Sequence, residues 1–171
     1  MSKILEKISQ RNLAIIFILL ASIVICMPLL NKDIDMTYDD GIQHICRLMG
    51  TQQSIKEGQV FPVIMSKFCN GFGYSWNIFY SPATAFVPLI FRILGMSFTN
   101  CIKVFMFVVV FLSGFFMYKF VKSVTRKNNV AILAAMLYIL LPYRITDMYI
   151  RNALAELTSF MFIPLIFLRI I

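Results

Sequence analysis

Residues 12–30, NLAIIFILLASIVICMPLL, run for nineteen positions without a charged side chain. That is close to the ~20 apolar residues a helix needs to cross a hydrocarbon core. The run predicts a first transmembrane helix over 12–30. Lys3, Lys7 and Arg11 precede it and would also suit a secretory signal. The apolar stretch is long for a signal, however, and Met27-Pro28-Leu29-Leu30 is no small-residue cleavage site.

Composition points the same way. Hydrophobic residues make up 60% of the chain, charged residues 14%, and the mean hydropathy is +0.81, values outside those of ordinary globular domains. The net charge of +8 therefore has a membrane explanation. Lys3, Lys7, Arg11, Lys119, Lys122, Arg126 and Lys127 form two clusters that flank apolar runs, as cytoplasmic ends do under the positive-inside rule. No nucleic-acid partner is expected, since that would want basic residues interleaved with aromatics on one soluble face.

Charge also threads the rest of the chain. Residues 101–121 and 130–143 read as second and third transmembrane helices, with 122–129 (KSVTRKNN) as a cytoplasmic loop between them. This places the N-terminus (1–11) in the cytoplasm of a multi-pass plasma-membrane protein and 31–100 outside. Counting 82–96 as another span would put the basic loop on the wrong side. With Pro82, Pro88 and Arg92 inside it, the segment reads instead as an interfacial or re-entrant helix. Residues 144–156 form a second outer loop, and 157–171 a fourth transmembrane helix, too short to span comfortably and so expected to be the start of a truncated one. The expected fold class is an all-α integral membrane protein with about four spans. Of the eight acids only Glu6 falls inside; Asp33, Asp35, Asp39, Asp40, Glu57, Asp147 and Glu156 fall outside.

The polar residues of the outer loops are the candidate site. As a helix, 40–57 places Asp40, His44, Arg47 and Thr51 on one face and Ile42, Cys46 and Met49 opposite. Asp39 or Thr37 can cap its start, and Gly58 and Pro62 end it. A carboxylate, an imidazole and a guanidinium together can take a proton, bind a divalent ion or hold a phosphate. An Asp near a helix N-terminus also has a purely structural reason to be there, the helix dipole. Asn70, Gly71 and Gly73 predict a tight turn, and Tyr74, Trp76, Phe79 and Tyr80 an aromatic cluster that serves as an interfacial belt or lines a groove for a lipid-linked substrate. In the second loop Arg144, Asp147, Arg151 and Glu156 follow one another with Tyr143 and Tyr149 among them, and arginine suits bidentate phosphate binding. The four cysteines show no CxxC spacing. Cys46 and Cys69 share a loop and could pair, although small buried hydrophobes are the plainer expectation.

The order DDGIQH, NGFGYSWNIFYSP, then PYRITDMYIRNALAE followed by FIPL resembles bacterial membrane proteins of the 6-pyruvoyl-tetrahydropterin synthase-related domain type. The resemblance covers residues 12–171. Those proteins are similar in turn to GT-C superfamily glycosyltransferases and to YfhO-like membrane proteins. The resemblance implies an acidic catalytic residue in the first outer loop, matched by Asp40 with Asp39 as its neighbour. It also implies a histidine matched by His44, and a second-loop arginine and glutamate matched by Arg151 and Glu156. The family often has glycine after that arginine, where this chain has Asn152.

The implied chemistry is sugar transfer from a polyprenyl-phosphate donor to a cell-envelope glycopolymer or lipid acceptor at the outer face. Asp40 would be the general base, and Arg151, with Arg144, would hold the departing phosphate. His44, Arg47 and Tyr80 complete the substrate-binding candidates. No cofactor is specified; a divalent metal would have Asp40 and His44 as ligands, two where a site wants more. Competing classes are a non-catalytic membrane scaffold and part of a transporter, although the interiors of 12–30 and 104–118 hold none of the ionisable groups that transporters place there.

Overall fold

A computed structural model describes residues 2–31 and 39–170, with side chains from residue 11 onward. Asp33, Asp35 and Thr37, and the side chains of Lys3, Glu6 and Lys7, lie outside the described residues. The described chain is helical, with no strand among the described residues and one isolated antiparallel bridge, Met65 to Tyr74. The order is α1 (Ser2–Cys26) with a 3-10 turn at Met27–Leu30, α2 (Gly41–Lys56), α3 (Trp76–Phe79), α4 (Ala83–Arg92), α5 (Phe98–Thr125), α6 (Asn128–Ile139), α7 (Pro142–Thr146) running into a π-helical turn at Asp147–Arg151, and α8 (Leu154–Ile170).

Two helical stretches among the described residues, Arg11–Leu30 and Phe98–Thr125, are long and apolar enough to cross a membrane. A third is added if α6 and the Pro142–Arg151 stretch, bent by 42°, count as one span. The bend falls at Leu140 and Leu141 because Pro142 has no N–H to give an incoming helix and instead opens the next one. Residues 144–156, expected as the second outer loop, are mostly helical. The expected loop 122–129 shrinks similarly: α5 runs to Thr125, Arg126 takes a left-handed conformation (φ 59°) with its N–H on the Lys122 carbonyl, and α6 starts at Asn128. Asn128 Oδ1 pins this turn by accepting from Tyr118 Oη (2.8 Å) and Lys122 Nζ (2.9 Å). α4 is ten residues, about 15 Å long and half a bilayer core. It packs on α2 and α5.

α5 is the hub. It packs on α1, α4, α6 and α8, and Ile102, Met106, Val110 and Gly114 are buried along it. A Cβ at Gly114 would stand 2.9 Å from an Ile139 methyl and 3.0 Å from an Ile18 methyl. Glycine here lets three helices approach closely, the small-residue packing of membrane helices. Hydroxyls buried in these apolar helices bond back to their own turns: Ser22 to the Ile18 carbonyl, Ser113 to Val110 and Thr158 to Leu154.

Candidate functional site

α2 appears at the expected place and turns its polar face inward. His44, Arg47, Thr51 and Ser54 are buried, while Ile42 and Met49 are half exposed. The inward face is polar because what it meets is polar. Arg47 Nε donates to Asn77 Oδ1 (3.1 Å), Nη1 donates to Thr84 Oγ1 (3.0 Å), and Nη2 donates to the Ser81 carbonyl. Asn77 Nδ2 in turn donates to Thr51 Oγ1 (3.3 Å) and the Pro62 carbonyl (2.9 Å). The guanidinium also lies over the Tyr80 ring, 4.7 Å from its centroid. Burial pulls the Arg47 pKa down to about 10. All three nitrogens bond to the protein, so Arg47, a substrate-binding candidate by sequence, staples α2 to the 77–84 segment. Asn77 and Thr84, its partners, carry no signal in the sequence.

The N-cap of α2 is Asp40, whose side chain makes no capping bond; Asp39, expected as a cap, sits just before it with φ 41°. The Asp40 N–H donates to the Arg151 carbonyl at 3.2 Å. This bond joins the start of α2 to the end of the π-helical turn, over a hundred residues later. Tyr80 strengthens the junction: its hydroxyl accepts from the Ala155 N–H (3.0 Å) and lies 3.5 Å from His44 Nε2. Burial raises the Tyr80 pKa, the Ala155 N–H works against that, and the Asp40 carboxylate adds to it. Burial lowers the His44 pKa to about 4, with the Arg47 charge acting in the same direction and the Asn152 backbone opposing. His44 is therefore neutral at pH 7.

Beside this junction Arg151 gathers the second connection. Its Nη1 reaches Asp147 Oδ1 (2.6 Å), Glu156 Oε2 (2.7 Å) and Tyr143 Oη (2.8 Å), and Nη2 reaches Glu156 Oε1 (2.9 Å). Tyr143 donates to Glu156 Oε2 at 2.7 Å. The hydrogen bonds from Arg151 and then Tyr143 hold Glu156 down at about 2. The π-helical turn and the left-handed Asn152 (φ 52°) bring Arg151 and Glu156 together. Asparagine tolerates that conformation nearly as glycine does. Asp147 is fully buried, and its Oδ2 has no partner among the described residues.

The structure thus brings Asp40, His44, Tyr80, Arg151 and Glu156 to one place and adds Tyr143 and Asp147. Arg144 stays apart. It is 1% exposed, none of its three guanidinium nitrogens has a hydrogen-bond partner among the described residues, and the rings of Tyr138 (5.8 Å) and Phe160 (5.2 Å) lie beside it. The expected aromatic cluster also splits. Trp76 packs edge-on against Tyr74 and Phe68, Phe79 is 77% exposed, and Tyr80 turns inward. The turn at Asn70, Gly71 and Gly73 forms with positive φ at all three. Cys46 and Cys69 are unpaired, as are Cys26 and Cys101. Among the described residues no group of three or more His, Cys, Asp or Glu side chains could hold a metal ion.

No family model matches this chain, and no solved structure matches it. Over 96 residues, 54% of its length, the chain is 30% identical to an uncharacterized protein of Lactococcus lactis subsp. cremoris (strain MG1363), of which it covers 16%.

Proposed function

We propose that this chain is the N-terminal portion of a multi-spanning membrane glycosyltransferase of the GT-C type, with its N-terminus in the cytoplasm and about four spans in this portion. It would transfer a sugar from a polyprenyl phosphate to a cell-envelope acceptor. The observation that carries the reading is the backbone hydrogen bond from the Asp40 N–H to the Arg151 carbonyl, which joins the start of α2, with its half-buried Asp40, to the end of the π-helical turn where two distant connections meet. Asp40 takes the proton of the acceptor hydroxyl, whose oxygen bonds to the anomeric carbon. The bond from that carbon to the phosphate oxygen breaks, and polyprenyl phosphate leaves with the electron pair. Glu156 is partly exposed, and its displacement by the donor phosphate would release Arg151 donors to meet the charge that develops there. Tyr80, tied to the Ala155 N–H and close to His44, fixes the distance between α2 and the start of α8.

The test is a strain whose single full-length copy carries Asp40→Asn, with protein level unchanged and envelope glycopolymers read by mass spectrometry. Loss of one glycan modification is expected. Normal glycans would sink the reading in favour of a non-catalytic scaffold. The internal satisfaction of Arg151 by Asp147 and Glu156 also fits such a scaffold.

A further inference from the structure

Beyond the polar junction the molecule holds a groove of about 570 Å³ between the C-terminal end of α1 and the start of α5, within the volume range of small-molecule sites. Its walls are apolar: Ile23, Leu29 and Leu30 on one side, Val104 and Phe107 on the other. The charged residue in its lining is Lys103, whose Nζ donates to the Asn31 carbonyl (3.2 Å). That bond uses one of three ammonium protons.

Both walls belong to the stretches long and apolar enough to cross a membrane, and each ends at this level: the α1 stretch at Leu30, α5 at Phe98. A groove so placed meets the boundary between hydrocarbon and headgroups, with its apolar walls toward the chains and its cation toward the phosphates. We propose that it is a binding site for one membrane phospholipid, with an acyl chain along Ile23, Val104 and Phe107 and an anionic headgroup on Lys103. Charge complementarity selects the headgroup. A neutral zwitterionic lipid gains the apolar contact alone, and an anionic one gains the lysine as well. This site is separate from the Asp40 junction and does not rest on the sugar-transfer reading.

The test uses full-length protein in nanodiscs of phosphatidylcholine doped with phosphatidylglycerol, with retained lipids counted by native mass spectrometry. Wild type is expected to retain one phosphatidylglycerol per chain in preference to phosphatidylcholine. Lys103→Gln should reduce that preference about fivefold, the loss of roughly 1 kcal/mol for one lysine beside an anionic surface. Val104→Trp fills the groove and should abolish retention of either lipid. Unchanged retention in Val104→Trp, unchanged preference in Lys103→Gln, or no retained lipid in wild type would each overturn the proposal. If Val104→Trp loses its helical circular dichroism, the lipid preference of Lys103→Gln decides alone. Inorganic phosphate added in excess should leave the retained phosphatidylglycerol in place; its displacement would mark a simple anion site.

Discussion

Two arginines lie almost wholly out of solvent, and they occupy opposite kinds of surroundings. Around Arg47 every guanidinium nitrogen finds an oxygen, on Asn77, Thr84 and Ser81, and a tyrosine ring lies over the plane. Around Arg144 no nitrogen finds one among the described residues, and the faces of Tyr138 and Phe160 lie beside it. Burial is the same, yet the first arginine holds its region together while the second is a cost its region carries. A buried charge is tolerable when paired and hydrogen-bonded, and expensive otherwise. The aromatic faces return only part of that expense, about 2 kcal/mol where the cation is desolvated.

The largest expected effect comes from breaking the satisfied side. Arg47→Leu leaves Asn77 Oδ1 without its partner and removes two further charge-assisted bonds, to Thr84 Oγ1 and the Ser81 carbonyl, which still bond each other; it should lower stability by about 3–5 kcal/mol, read as a drop in the thermal midpoint of the detergent-solubilised protein. A midpoint within a degree of wild type would make the network decorative.

Next comes pH, because Arg47 is one reason His44 stays neutral. The folded-state pKa of about 4 lies below the ordinary 6.5. As the pH falls below 6.5 the unfolded chain takes the proton first, and stability drops down to pH 4. The full loss is at most about 3 kcal/mol. His44→Gln should flatten stability across this window, and a wild type already flat there would contradict the buried neutral imidazole.

The smallest effect is expected on the unsatisfied side, with the opposite sign. Arg144→Met keeps an unbranched apolar stem and removes the stranded charge, so stability should hold or rise by about 1–2 kcal/mol. A large loss would show that Arg144 has a partner that matters.

Parts of this were legible in the sequence. The helical stretch over 12–30, long and apolar enough to cross a membrane, and the helix over 40–57 follow from charge-free length and from 3.6-residue spacing, both local properties. Gly58 was expected to end α2, and it does so in a left-handed conformation (φ 96°) with its N–H on the Ile55 carbonyl. The helical form of the second connection was not legible because its polar residues look like a loop, whereas α7 and the π-helical turn hold Asp147 inside and Arg151 at the edge. The inward turn of the α2 polar face was invisible for a related reason. Helical periodicity finds a polar stripe without saying whether water or other polar groups lie opposite it.

The amino-acid sequence alone determined where the helices can form, because apolar length, proline and glycine act within a few residues of where they stand. It also determined that Asp40, His44 and Arg47 share a helix face, since 3.6-residue spacing fixes that without a fold. Only the tertiary structure decided their separate fates. Arg47 was drawn to Asn77, Asp40 to Arg151, and Arg144 was left between two rings, because each outcome depends on which distant segment happens to present an oxygen. Pairing of that kind is a property of the packed chain, and no local pattern encodes it.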